Sequence, residues 1–439
     1  MPEDEFRPSR RGLLTSAAAL LAAPALAGTA RATEPNGQEQ VADAPVADEA
    51  RFSDTISPFG PHQAGIVTPR PANGAVASFH VVAETPADLE RLFRRLTERI
   101  VFLTQGGPVP QADPKMPPPD SGILGPDLSP DALTITVGLG ASLFDDRAWL
   151  APLKPRTLSR MTKFPNDALV ANLSHGDLSI QFCANTQETV VHALRDIVKT
   201  LPDQLVLKWT QMGSVPVIVV PKDAPPESAR NLLGFRDGSA NPDSADEPLM
   251  EQVVWVQQDS SEPDWAAGGS YQAVRIIRNM VERWDRSPLR EQEEIFGRTK
   301  MSGAPLDQPE GTEAMVPDYA ADPAGAITSH ESHIRLANPR TPESAANLIL
   351  RRPFNYVNGV LSNGQLDQGL LFISWQADLE KGFITVQRRL DGEPLEEYIK
   401  PVGGGYFFAL SGFRDGEDYL GRALVEAIDP TSQDTSQPG

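Results

Sequence analysis

From residue 74 to residue 211, apolar and polar positions follow two periods in turn. "GAVASFHVVA" reads as a strand. "TPADLERLFRRLTERI" then switches to helical spacing, with Leu89, Leu92, Phe93, Leu96 and Ile100 on one face. Its start is marked by Thr85 as N-cap, Pro86 at the first helical position and Asp88 at the third. "ALTITVGL" and "DLSIQFCA" alternate as strands with one buried face do, "TQETVVHALRDIVKTL" is a second amphipathic helix, and "QLVLKWTQ" is a last strand. A Pro/Gly-rich loop at 105–130 separates the first helix from the second strand. The order strand-helix-strand-strand-helix-strand is that of a ferredoxin-like split βαβ unit.

The second half repeats this plan more loosely. "EQVVWVQQ" and "SYQAVRIIRNM" read as strands, "PLREQEEIF" as a helix opened by Ser287 and Pro288. "GLLFISWQ", "GFITVQRRL" and "GGYFFAL" read as later strands, with "PLEEYIK" a short helix between the last two. The expected fold is α+β: two ferredoxin-like domains of antiparallel sheet and helices, parted near the Pro-rich "PKDAPPESA" at 221–229. The expected bounds are 57–225 and 226–430, with no short-period repeat.

The N-terminus carries a different message. Ser9, Arg10 and Arg11 precede Leu13 and Leu14, an alanine-rich apolar run and small residues suited to cleavage, Ala25-Leu26-Ala27 or Ala30-Arg31-Ala32. The run is short for a membrane span and resembles a twin-arginine export signal. Residues 1–32 are expected to be that signal and 33–56 a flexible polar lead. The mature protein is expected to have no membrane span and to be periplasmic or extracellular. Twin-arginine export carries folded proteins, often with a cofactor already in place.

Composition narrows the partners. The chain has 439 residues, 40% hydrophobic and 22% charged, with a formal net charge of −20. That charge argues against nucleic acid and anionic membrane, which need basic surface. The one cysteine, Cys183, cannot form an intramolecular disulfide; in "LSIQFCA" it reads as a buried structural thiol.

The candidate chemistry lies in "NLLGFRDGSANP" and in two later segments. Gly234 and Gly238 bracket Phe235, Arg236 and Asp237, a composition odd for an ordinary turn. Of six histidines, His80 and His192 sit in strand and helix patterns and read as structural, while His62 and His175 sit in turn-like sequence. His330 and His333, in "SHESHIRLANPR", have a spacing of three that would suit a metal pair on a helix, but no third ligand of matching spacing accompanies them. "HIRLANPR" and "LILRRPFNY" suit a haem better: an imidazole for the iron, arginines for the propionates and an apolar run for a porphyrin face. Surface ion pairs would explain those arginines equally well.

Together these segments resemble the dye-decolourising (DyP-type) haem peroxidases, and within them the twin-arginine-exported deferrochelatase/peroxidase subgroup linked to iron uptake. "GFRDGSANP" matches the Gly-x-x-Asp-Gly motif, "HIRLANPR" the proximal histidine segment and "LRRPFNY" the distal arginine segment. "FGRTKMSGAPL", "GQLDQGLLFISWQADLEKGFITVQRRL" and "EEYIKPVGGGYFFAL" share the subgroup's character. The similarity runs from about residue 57 to 415.

The resemblance implies haem b, held mainly by the C-terminal domain, with His333 and not His330 as axial ligand of the iron. It implies Asp237 and Arg351 as the catalytic pair on the distal face. Gly238, Ser239 and Ala240 would line the haem on that side, and Asn338, Pro339 and Arg340 on the other, Arg340 as a propionate partner. The implied reaction uses hydrogen peroxide to oxidise an organic reductant such as a dye, by way of an oxo-ferryl intermediate. Asp237 would shuttle the proton, Arg351 would stabilise the developing charge, and a weak base of this kind implies an acidic optimum. An acidic partner is expected behind the proximal imidazole, with Asp378 the choice. Pro353 stands where many relatives carry Gly or Asn. Trp209, Trp265, Trp284 and Tyr398 are available to carry oxidation to the surface. Two other readings stand beside the peroxidase: an iron-uptake component that takes iron from haem or oxidises ferrous iron for a permease system, and a haem-free binding protein that keeps the fold.

Overall fold

The computed structural model describes residues 54–111, 113–216 and 227–428; the export signal and the lead expected at the N-terminus lie outside these, apart from the lead's last three residues. The first half follows the expected order: β1 (Asn73–Val81), α1 (Pro86–Gln105), β2 (Thr134–Gly140), β3 (Leu178–Ala184), α2 (Gln187–Thr200) and β4 (Leu205–Ser214). Thr85 closes a capping box with Asp88, each side chain serving the other's backbone N–H. Leu89, Leu92, Phe93, Leu96 and Ile100 are all buried. They pack on the face of the sheet that carries Ala75, Ala77 and Phe79 of β1, Ile135, Val137 and Leu139 of β2, and Leu178, Ile180 and Phe182 of β3.

In the second half come β5 (Ser270–Asn279), β6 (Leu350–Arg351), β7 (Phe354–Val360), β8 (Leu366–Gln376) and β9 (Ile399–Ala409). Two predicted strands are helices instead. "EQVVWVQQ" belongs in part to α3 (Glu247–Val253), whose first turn is set by the Asp246 side chain capping Leu249 N–H and by Pro248. "GFITVQRRL" forms a π-turn over Glu380–Ile384 that runs into α6 (Thr385–Leu390). In the first, the apolar run Val254–Val256 is buried just past the helix end, and in the second Phe383 and Ile384 are buried on a helical turn, so tertiary contacts override strand propensity. The helix at "PLREQEEIF" is α4 (Leu289–Phe296), and α5 (His333–Ala337) was not anticipated.

Within each half the strands lie in ferredoxin-like order, β2-β3-β1-β4 and β9-β5-β8-β7. The halves then join twice. β9 pairs with β2 through Phe407–Ala409 and Gly138–Gly140, and β4 meets β7 at Ser214 and Asn355. Eight strands thus form a closed circuit, with β6 added on β8. Inside, Val76, Cys183, Trp209, Val274, Ile276, Phe354, Leu371, Ile373 and Phe407 make a second core. Cys183 is fully buried there, as its strand pattern implied.

The site depends on what covers the other face of the second half. Along β5 and β8, Arg275, Ile277, Leu370 and Phe372 alternate with the inner-core residues and point the opposite way. Helices pack directly on the equivalent face of the first half. Here α5, α6 and the loop around 231–240 stand off and leave a cavity. Among the described residues no helix is long and apolar enough to cross a membrane.

Candidate active site

The cavity holds about 1850 Å³ of empty space, mouth included. Its walls are largely apolar, with Ile277, Ile349, Leu370, Phe372, Phe383 and Val386 among the lining residues. Of the residues singled out in the sequence, Asp237, Ser239, Ala240, His333, Asn338, Arg340 and Arg351 line it. Gly238 and Pro339 sit between lining residues without facing the space themselves. His330 is exposed and takes no part.

His333 opens α5 and keeps 31% of its side chain accessible. Two residues on, Arg335 turns away from the cavity and binds Thr328 O (2.7 Å) and Asp322 O (2.9 Å), which anchors the helix to the preceding loop. His333 Nδ1 lies 2.7 Å from Glu393 Oε2. Burial by itself would lower the imidazole's pKa; the buried Glu393 carboxylate reverses this, and the net shift is upward. A carboxylate on Nδ1 sets the tautomer and leaves Nε2 to serve as a metal ligand. The acid behind the imidazole is therefore Glu393. Asp378 instead caps the π-turn, its Oδ1 accepting from the N–H groups of Glu380 and Lys381. Glu393 stands 60 residues from His333 with no local motif around it, and only folding brings it in.

Asp237 and Arg351 meet at the cavity wall. Arg351 Nη1 donates to Asp237 Oδ1 at 3.1 Å and Nη2 to Ser239 O at 2.9 Å. Asp237 Oδ2 is buried and has no hydrogen-bond partner among the described residues. Burial pushes this carboxyl's pKa above the ordinary 3.8, although Arg351, Arg70 and His333 pull it down. Because strand residues alternate, Arg351 faces the cavity while Arg352 points to the other side and donates to Thr68 O and Pro69 O. Pro353 costs the sheet nothing. The Arg352 N–H bonds Ile373 O at 2.8 Å, so the next position turns its nitrogen away from β8. Its carbonyl accepts from Arg70 Nη1 at 2.6 Å.

Two residues that the sequence did not flag hold this pair in register. Asn241 Oδ1 accepts the Arg351 N–H (2.8 Å) and its Nδ2 donates to Arg351 O (3.1 Å). Glu313 accepts from Ser228 N–H at 2.6 Å, from the Ser228 hydroxyl and from Ser239 Oγ at 3.1 Å, clasping both ends of the Asp237 loop. The tight approach at Gly238 is to Ser228: a Cβ there would meet Ser228 Cβ at 2.4 Å.

Two other histidines are held by structural contacts. His62 stacks on Trp255 with ring centres 3.8 Å apart, and His192 bonds Ser121 Oγ at 2.8 Å. No group of three or more His, Cys, Asp or Glu able to hold a bare metal ion occurs among the described residues. A cavity with apolar walls, an imidazole backed by a carboxylate and arginines among its lining residues fits haem.

Comparison with known proteins agrees. Residues 63–214 match the N-terminal domain of the Dyp-type peroxidases and residues 228–414 the C-terminal domain. The chain belongs to the Dyp-type peroxidase family and is a haem-dependent peroxidase, an oxidoreductase that takes peroxide and a reductant as substrates. A Deferrochelatase of Shigella sonnei and one of Escherichia coli K12 are each 54% identical over 420 residues, 95% of this chain and 97% of theirs. Among solved structures, the DyP-type peroxidase of Cellulomonas bogoriensis is 33% identical with a TM-score of 0.75, covering 86% of this chain and 99% of its own. Ferric DtpA of Streptomyces lividans is 32% identical with a TM-score of 0.76, covering 88% and 100%.

Proposed function

We propose that His333 would hold the haem iron through Nε2 and that Asp237 and Arg351 would act on peroxide in the same cavity. Haem supplies the iron at which the O–O bond is broken. The free Asp237 Oδ2 carries this reading: an unpartnered, buried carboxylate oxygen beside a guanidinium is placed to take a proton from one peroxide oxygen and return it to the other. Arg351, fixed by Ser239 O and Asn241, offers a stationary positive charge where negative charge develops. Purified protein is expected to carry one haem b per chain with a Soret band. Folded, soluble protein from haem-replete cells without that band would refute the assignment.

A second reading rests on the relatives named Deferrochelatase. In it the same cavity takes haem as substrate and releases its iron, with iron-permease components as partners. Anaerobic incubation with haem separates the two: iron-free protoporphyrin emission supports the second, and its absence alongside peroxide turnover supports the first alone.

The contacts also favour one route for electrons away from His333, ending at Tyr398, which is 5% exposed. Phe296 lies 5.8 Å from His333, Trp284 5.8 Å from Phe296, and Tyr398 4.9 Å from Trp284, ring centre to ring centre. The Tyr398 hydroxyl donates to Glu291 Oε1 at 3.0 Å, a ready acceptor for its proton on one-electron oxidation. Trp209 and Trp265 belong to the other two cores. Freeze-quenched protein treated with peroxide should show a tyrosyl radical by electron paramagnetic resonance that is absent from Tyr398→Phe; an unchanged signal would exclude this path.

Export is proposed to follow the twin-arginine route. Replacing Arg10 and Arg11 by Lys should leave the precursor in the cytoplasm, and unchanged secretion of the double variant would point to an ordinary secretory signal.

A further inference from the structure

Lys300 is a cation that the proposed reaction leaves without a role. Its ammonium lies 5.7 Å from the centre of the Phe235 ring and 5.9 Å from that of Trp284. Its stem runs against Gly234, where a Cβ would meet Lys300 Cε at 2.6 Å. Its Nζ donates to Gln292 Oε1 at 2.6 Å. The nitrogen of that amide donates to Trp284 O and Ser287 O, both at 3.0 Å, which turns the amide oxygen toward the ammonium. Gln292 is neutral, and Lys300 forms no ion pair among the described residues. A full positive charge is thus held, hydrogen-bonded but not neutralised, beside an indole that is 1% exposed.

That indole stands midway on the path from His333 to Tyr398, and the two oxidisable rings differ in what they can do with a proton. Trp284 Nε1 donates to Leu233 O at 2.9 Å, and a backbone carbonyl is no base for the indole proton. Oxidised by one electron, Trp284 stays a radical cation. The Lys300 charge repels that cation, and the attraction between ammonium and intact ring is lost as well. Tyr398 is placed otherwise. Its hydroxyl donates to Glu291 Oε1 and accepts from Ser287 Oγ, each at 3.0 Å. Losing one electron and passing its proton to the Glu291 carboxylate, it becomes a neutral phenoxyl radical, which a nearby cation does not penalise.

We propose that Lys300 keeps the oxidising equivalent from resting on Trp284 and so directs it to Tyr398. The proposal rests on the aromatic path given above. One electron leaves Tyr398, crosses Trp284 and Phe296 and reduces the peroxide-oxidised cofactor by one equivalent, while one proton moves from Tyr398 to Glu291. Lys300 does not line the cavity. It acts through Trp284, by setting which ring can hold the missing electron.

The test removes Tyr398 first, so that Trp284 becomes the last ring on the path. Haem-loaded Tyr398→Phe, alone and combined with Lys300→Gln or Lys300→Arg, is mixed with peroxide, freeze-quenched and read by electron paramagnetic resonance. Each protein is prepared with and without ring-deuterated tryptophan, whose narrowed hyperfine pattern identifies an indole radical. Lys300→Gln keeps a donor for Gln292 and loses the charge. It should raise the indole radical about 10- to 100-fold over Tyr398→Phe alone, and adding Trp284→Phe should remove the gain. Lys300→Arg keeps the charge and should stay at the level of Tyr398→Phe. If Lys300→Gln loses its Soret band, Lys300→Met takes its place in the same comparison. Equal indole yields in all three proteins, an equal rise with Gln and Arg as a merely structural role would give, or a gain that survives Trp284→Phe overturns the proposal. A wild-type tyrosyl signal that persists in Tyr398→Phe removes the path itself, and that is read before Lys300 is changed.

Discussion

Haem-loaded Asp237→Asn and Arg351→Leu proteins are expected to keep their Soret bands and to react with peroxide far more slowly than the wild type. A positioned proton shuttle is worth roughly 10²–10⁴ in rate, and one fixed electrostatic stabiliser about 10²–10³. Arg351→Leu should be the larger loss. Water can relay a proton past the amide that replaces the Asp237 carboxylate, whereas it cannot replace the fixed charge of Arg351, which Ser239 O and Asn241 hold in place. Asp237 also sets a pH signature. Burial raises its pKa above 3.8, and only the ionised form accepts a proton. The rate should therefore climb as pH rises through a value above that of an ordinary aspartate. In Asp237→Asn this limb should vanish while the slow residual rate stays flat. Stopped-flow mixing with peroxide across the acid range decides it. Wild-type rates in both variants would reduce Asp237 to a turn residue.

The second large effect concerns the other side of the cavity. His333→Ala is expected to lose its haem spectrum, and added imidazole to restore a Soret band by entering the space the side chain left. His330→Ala should be indistinguishable from wild type, since that residue is exposed and outside the cavity. Glu393→Gln keeps a hydrogen bond to Nδ1 but removes the charge. It should retain haem with affinity reduced by about 10–100-fold, and its iron should be easier to reduce, because a less basic imidazole stabilises the ferric state less. Loss of haem in His330→Ala, with His333→Ala unaffected, would reverse the assignment.

Much of this site was legible in the chain because its parts are contiguous. Gly234 to Pro242 form one turn, His333 to Arg340 one helix and its exit, and Arg351 one strand position. Short segments with odd composition betray themselves. The supports were not legible for the opposite reason: Glu393, Glu313 and Asn241 reach their partners across 60, 74 to 85 and 110 residues. The first half of the fold was readable because its strands alternate cleanly and its helices carry caps. In the second half, "GFITVQRRL" misleads by its local content. Phe383, Val386 and Leu390 all face the cavity at helical spacing, yet the β-branched residues between them imitate a strand. β7 was hidden by Pro353 at its entrance, which reads as a strand breaker until its nitrogen is seen to face away from β8.

The closed circuit of strands fixes when the protein can take up its cofactor. The edge of β2 stays open until Phe407–Ala409 arrive to cover it, and Glu393, which orients His333, is made only shortly before. A nascent chain at the ribosome therefore owns neither a finished barrel nor a competent iron site until nearly all of it has been synthesised. Haem insertion belongs to the completed polypeptide. If the paired arginines at the N-terminus do direct transport of folded protein, the interval between chain release and membrane crossing is the window in which the cell must supply the porphyrin.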